Sequence, residues 1–267
     1  MRIRDVRLGS GEPLALISGL NVIESLVGTL DIAHAVQGVA ERHGIPVVFK
    51  ASFDKANRTS RHSFRGVGLD EGLHILACVK RETGLPILTD VHEPGQAKIV
   101  AEVADCLQIP AFLARQTDLV AACAATGRAL NVKKAQYMAP DDLLCAVEKA
   151  QSFGAENVLV TERGSMFGYN DLVVDLRGFA AMRRIAPLCF DATHAAQHPG
   201  AGGASSTGNR DVVAPLARAA VAVGVDALFV EVHQDPGCAP CDGQCQIRIE
   251  DLDRLLGEVC AIGEALA

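Results

Sequence analysis

The chain switches period with a regularity that few folds can accommodate. Short apolar and β-branched runs stand at 14–20 (LALISGL), 45–50 (IPVVFK), 85–90 (LPILTD), 105–110 (DCLQIP), 129–134 (ALNVKK), 157–162 (NVLVTE), 187–193 (PLCFDAT) and 226–233 (DALFVEVH). Between them lie stretches with helical spacing, such as TLDIAHAVQGVAERHG (29–44), LDEGLHILACVKRETG (69–84) and VAPLARAAVAVG (213–224). Each of these closes on glycine, which tolerates the left-handed turn at a helix end. Strands joined by helical crossovers run parallel, because each helix carries the chain back to the same end of the sheet. Eight such units in 267 residues predict one α/β domain over 1–267, a closed (β/α)8 TIM barrel. A doubly wound open sheet is the alternative; eight regular units fit closure better. The segment RIRDVRLGSGEPLAL (2–16) predicts a short hairpin ahead of the first barrel strand.

Charge and cysteine usage narrow the function classes. A net charge of −7 argues against general nucleic-acid binding. No apolar run reaches the roughly 20 residues needed to cross a bilayer. The start, MRIRDVRLGSGE, has no apolar core of a secretory signal. Nine cysteines, with Cys78, Cys106, Cys123, Cys145, Cys189 and Cys260 inside apolar runs, read as packed, reduced thiols of a cytoplasmic protein.

Against that acidic background, the loop KASFDKANRTSRHSFRG (50–66) gathers Lys50, Lys55, Arg58, Arg61 and Arg65, with His62 as a further titratable group. The predicted strands end on Asn21, Lys50, Asp90 with His92, Gln108, Lys133, Glu162 with Arg163, Asp191 with His194, and Glu231 with His233. In a barrel these ends converge on one face, where active sites are built. Turn-forming polarity explains some of these positions, but not two lysines and an arginine among them. Lys50, Lys55, Lys133 and Arg163 suit a phosphate and a carboxylate. Arg58, Thr59 and Ser60 form a second anion-binding group. Asp90, His92, Asp191, His194, Glu231 and Asp242 are able to move protons or to bind a metal. His233, Cys238, Cys241 and Cys245 have spacings that zinc could use, although the second half of a structural site is missing. The segment GAGGASSTGNR (200–210) resembles a glycine-rich phosphate loop, in which Ser205 and Ser206 stay unassigned.

In chain order, KASFDKANRTSRHSFRGVGLDEGL, TDVHE, LQIPAFLARQTDL, NVKKAQ, ERGSMFGYNDLVVDLR, FDATH and FVEVHQDP with CDG resemble the 3-deoxy-D-manno-octulosonate 8-phosphate synthases. The resemblance implies a homotetrameric barrel that condenses phosphoenolpyruvate with arabinose 5-phosphate and water and releases phosphate. It implies a phosphoenolpyruvate site of Lys55, Lys133 and Arg163, with Gln108 and Ala111 beside it and Lys50 and Asp90 lining the pocket. It implies Asn57, Arg58, Thr59 and Glu231 on the sugar-phosphate side, with the Asn57–Arg58–Thr59 loop shared between subunits. His194 and Asp242 would move protons, with Asn21 and Lys55 completing the catalytic group. The related heptulosonate synthases carry KPRTS where this chain has KANRTS, which favours the five-carbon sugar; erythrose 4-phosphate is the alternative substrate. A barrel that only binds sugar phosphate is the rival of another class. In the family's metal-holding class a cysteine joins His, Glu and Asp; Asn21 stands at that cysteine's position. The resemblance therefore implies no metal and no cofactor, with Asn21 bonded to substrate or to Asp242.

Overall fold

The computed structural model describes residues 1–202 and 206–266. The eight apolar runs become the strands β1 (Ala15–Val22), β2 (Val47–Ser52), β3 (Ile87–Asp90), β4 (Cys106–Ile109), β5 (Ala129–Lys133), β6 (Val158–Glu162), β7 (Leu188–Asp191) and β8 (Ala227–Glu231). Consecutive strands pair in parallel and β8 returns to β1, so the sheet closes into a barrel. Around it run α1 (Leu26–Arg42), α2 (Leu69–Thr83), α3 (Ala97–Val103), α4 (Thr117–Ala124), α5 (Leu143–Ser152), α6 (Phe179–Ile185), α7 (Val213–Val223) and α8 (Ile249–Leu266).

Helix α1 begins a turn before the predicted Thr29, because the Ser25 side chain accepts from the Gly28 amide at 3.2 Å and caps it there. Helix α2 ends as its sequence implies, on Gly84 at φ 71. The predicted N-terminal hairpin forms from Arg2–Ile3 and Val6–Arg7. It closes the bottom of the barrel: Ile3, Val6 and Leu8 pack with Ile17, Val48, Leu88, Cys106, Leu159 and Cys189.

The two-residue period of a strand divides each strand between barrel interior and helix layer. Phe49, Ala51, Ile87, Leu107, Val132, Val160, Phe190 and Val230 join the core under the helices. The interior row starts apolar at the bottom and turns polar above. Two residues beyond Val48, Leu88, Cys106, Leu159 and Cys189 stand Lys50, Asp90, Gln108, Thr161 and Asp191, all buried. Burying each large apolar side chain contributes about 1.5–3 kcal/mol, and that scaffold offsets the desolvation of the polar row.

Strands β1 and β2 run past their predicted ends. Between Gly19 and Val22 their register shifts, and Val22 pairs with Ser52. Asn21 and Lys50 therefore sit inside strands, beneath the mouth. The close approach there requires glycine: a Cβ on Gly19 would stand 2.1 Å from the Lys50 carbonyl oxygen, and its φ is +152.

Candidate active site

The register shift turns consecutive carbonyls of β1 toward Lys50. Its ammonium donates to Leu20 O at 3.2 Å, Asn21 O at 3.0 Å and Glu231 Oε1 at 2.6 Å. Those three bonds use all of its protons. Burial pulls Lys50 below the usual lysine range while Glu231 pulls it back. Burial works against the Glu231 charge too, but His194, Lys50 and Lys55 hold its carboxyl down at about 2. The pair is an internal salt bridge at the barrel's centre. Asn21 lies beside it, with Nδ2 donating to Glu231 Oε2 at 2.6 Å and Asp242 Oδ2 at 3.2 Å.

Two further carboxylates orient histidines. Asp90 Oδ2 meets His92 Nε2 at 2.9 Å, and His92 packs edge-on to Phe53. Asp191 receives Lys133 Nζ and His194 Nδ1, the latter at 2.7 Å, and its other oxygen accepts the His194 amide. A carboxylate only accepts, so Nδ1 carries the proton and Nε2 is left for exchange, 3.6 Å from Glu231. Desolvation would raise Asp90 and Asp191; the facing histidines and lysines outweigh it and hold both well below the usual aspartate range. Lys133 Nζ also stands 3.5 Å from the centre of the Phe229 ring.

Above these groups opens a cavity of about 590 Å³. Lys50, Lys55, Asp90, Gln108, Ala111, Lys133, Arg163, His194 and Asp242 line it, as do Asn57, Arg58 and Thr59 of the long loop after β2. Among the described residues Lys55 Nζ has no bonded partner. Burial acts against its charge, but Glu231, Asp90, Cys241 and Asp242 together raise it above the usual lysine range. Among the described residues Arg163 Nη1 is likewise buried without a hydrogen-bond partner. Arg58 rests its guanidinium on Cys241 Sγ and donates to Pro240 O at 3.3 Å. Asp242, at φ +51, occupies a left-handed conformation that aspartate tolerates.

Some sequence candidates lie elsewhere. Glu231 and Asn21 are buried under the cavity and are not among its lining residues. Glu162 faces the helix layer, accepting from the Arg163 and Gly164 amides and standing 3.5 Å from Lys134. His233 turns to Glu24 at 2.9 Å. The zinc spacing yields no site: among the described residues no three His, Cys, Asp or Glu side chains are grouped for an ion. Cys238 is exposed beside Asp235, while burial pushes the Cys241 and Cys245 thiols up to about 12. Ser206 lines the cavity; Ser205 falls outside the described residues. Gln136, Gln197 and Cys241 line the cavity without having been singled out for it. Gln136 closes the quoted motif NVKKAQ and Gln197 lies three residues past the end of FDATH, and their distance past β5 and β7 was the available signal.

The donor set does not fit a divalent metal. Glu231 and Asp242 are both acceptors, so Asn21 must turn its nitrogen to them, and Nδ2 fills the space between the carboxylates that a cation would need. A thiolate there would be a ligand; an amide N–H is not.

A parallel barrel that gathers several cations around one mouth, over a floor of charged carboxylates and oriented histidines, is a barrel enzyme for anionic substrates. The chain belongs to the DAHP synthetase I family, whose family model matches residues 1–266. A Synechococcus protein named 2-dehydro-3-deoxyphosphooctonate aldolase is 56% identical over 261 residues, covering 97% of this chain and 92% of that protein. Proteins of the same name from Cyanothece and Rickettsia bellii are 53% and 51% identical, over 98% and 96% of this chain and 97% and 94% of theirs.

Proposed function

We propose that this chain condenses phosphoenolpyruvate with D-arabinose 5-phosphate and water, giving 3-deoxy-D-manno-octulosonate 8-phosphate and inorganic phosphate on the path to lipopolysaccharide. The observation that carries this reading is the name shared by relatives 51% to 56% identical over nearly the whole chain. The heptulosonate-type reaction with erythrose 4-phosphate has less support, because the loop reads KANRTS. A purely binding barrel would not need the oriented His194 and His92.

Lys55, Lys133 and Arg163 take the phosphate and carboxylate of phosphoenolpyruvate, with Gln108 and the Ala111 backbone beside them. Lys50 and Asp90 support that pocket, Lys50 through Glu231. Asn57, Arg58 and Thr59 take the sugar phosphate, with Glu231 beneath. The enol carbon attacks the sugar aldehyde, water adds to the carbon left electron-poor, and the hemiketal phosphate loses phosphate by C–O cleavage. The aldehyde oxygen gains a proton and the attacking water loses one; His194 Nε2 and Asp242 exchange them. No covalent enzyme intermediate is needed, so catalysis rests on positioning and charge stabilisation. Asn21 ties Glu231 to Asp242 and does without a metal the orienting a metal would do.

The reading extends to a cytoplasmic homotetramer in which the Asn57–Arg58–Thr59 loop is shared with a neighbouring subunit. Its support is the exposure of Phe112, Met166, Phe167 and Tyr169 at the cavity end of the barrel. Light scattering tests it, with four chains of 28.1 kDa as the expected mass. For the activity, phosphate release is measured with phosphoenolpyruvate plus either aldose. Turnover with arabinose 5-phosphate and little with erythrose 4-phosphate is expected; the reverse preference overturns the assignment.

A further inference from the structure

Of the cations that crowd residues 50–66, the proposed chemistry uses Lys50, Lys55 and Arg58 and leaves Arg61 and Arg65. Arg61 is exposed and turns to its neighbour, its Nε donating to His62 Nε2 at 3.0 Å. Arg65 is committed elsewhere. Its Nε donates to Asp54 Oδ1 at 2.8 Å and its Nη2 to Asp54 Oδ2, the two-pronged match of a guanidinium with a carboxylate. Asp54 is the only acid between Lys50 and Asp70, so Arg65 has one local carboxylate to meet and engages both of its oxygens.

The pair stands where the loop leaves and rejoins the barrel. Beside it the Lys55 amide donates to Arg65 O at 2.6 Å, and the Gly68 amide donates to Phe53 O at 3.1 Å. A Cβ on Gly66, at φ +124, would lie 2.3 Å from Phe53 O, and one on Gly72 would lie 2.3 Å from the Phe53 side chain. The outgoing and returning legs of the loop are therefore pressed together around the buried Phe53. Of the span they enclose, Lys55, Asn57, Arg58 and Thr59 line the cavity. Lys55, Arg58 and Arg61 repel one another within that span, and Asp54 keeps Arg65 from adding to the repulsion.

We propose that Asp54 and Arg65 are positioning residues, a clasp that closes the neck of this loop and so delivers Arg58 and Thr59 to the phosphate of the sugar. The inference rests on the proposed function and on the role given there to Arg58. Lys55 follows directly on the anchored Phe53 and Asp54, whereas Arg58 and Thr59 stand further out, so the clasp bears on the sugar side first. The test measures both KM values, kcat and Tm for Asp54→Ala, Arg65→Met, the double variant, the exchanged pair Asp54→Arg with Arg65→Asp, and Arg58→Ala. Either single clasp variant is expected to raise the KM for arabinose 5-phosphate about fivefold, the most that a largely exposed pair carries, with the KM for phosphoenolpyruvate within about twofold. The Tm stays within about 3 °C of the wild type. The double variant loses no more than either single one, because both remove the same contact, and the exchanged pair regains most of the loss. If Arg65 touched the substrate itself, Arg65→Met would weaken the sugar, Asp54→Ala would not, and the exchange would restore nothing. That pattern, or an unchanged sugar KM in both clasp variants while Arg58→Ala raises it, overturns the inference alone. An unchanged sugar KM in Arg58→Ala overturns the role of Arg58 and the inference with it.

Discussion

Lys50 and Glu231 stand 181 residues apart in sequence, yet they meet at 2.6 Å in the barrel's centre with at most 1% of either side chain exposed. A buried pair of this kind is expensive to break, since the survivor is left charged and unsolvated. Glu231→Gln is expected to lower the unfolding free energy at pH 7 by about 3–5 kcal/mol. The native carboxyl is held at about 2 against an ordinary value of 4.5. Its contribution is complete above the ordinary value and is lost as the pH falls toward the native one. Denaturant unfolding across the acid range should therefore find the gap between wild type and variant constant above pH 4.5 and closing below it. A gap that does not depend on pH contradicts the charged pair.

Arg58 and Arg163 both line the cavity, and the proposed function gives them different anions. Arg58→Ala is expected to raise the KM for arabinose 5-phosphate far more than that for phosphoenolpyruvate, by the tenfold or more that a lost charge-assisted contact of about 1.5–3 kcal/mol implies. Arg163→Ala is expected to do the opposite. Equal effects of both variants on both substrates would mean that the cavity does not sort its anions.

The amide of Asn21 between Glu231 and Asp242 makes a statement about metal. Purified protein should carry no stoichiometric divalent ion, and chelator should leave the rate unchanged. Asn21→Cys, which replaces a donor with a thiolate, should raise metal affinity. Activity that chelator abolishes and manganese or zinc restores would sink this view.

Gly19 is the hinge of the β1 register shift. Gly19→Ala drives a methyl group to 2.1 Å from the Lys50 carbonyl oxygen, at a φ that alanine adopts only with strain. A loss of about 1–3 kcal/mol or more is expected, seen as a lowered Tm. Because the shift presents the Leu20 and Asn21 carbonyls to Lys50, kcat should fall as well. An unchanged Tm would show that the strands can part without cost.

Much of this site was legible in the sequence because a strand has a period of two. Once β3, β4 and β7 are placed, Asp90, Gln108 and Asp191 follow as interior residues from the apolar side chains two positions earlier. What escaped was phase and depth. Glu162 and Arg163 are adjacent and were both read as ends of β6, but adjacent residues face opposite ways, and only Arg163 enters the cavity. Lys50 was read as lining the substrate pocket and does line the cavity; that carbonyls and Glu231 also take its protons depends on a register shift no local pattern announces. The hairpin of Ser165–Gly168 and Asp171–Val173, with its exposed Phe167 and Tyr169, was hidden because its burial does not alternate cleanly.

The central claim is that one cavity joins phosphoenolpyruvate to arabinose 5-phosphate and then breaks the carbon–oxygen bond to phosphate. The most direct measurement gives the enzyme phosphoenolpyruvate with heavy oxygen in the bridging position, then weighs both products. The account predicts an eight-carbon sugar acid phosphate without the label and inorganic phosphate that carries it. Label retained in the sugar acid, or phosphate released with no new carbon–carbon bond, would contradict it.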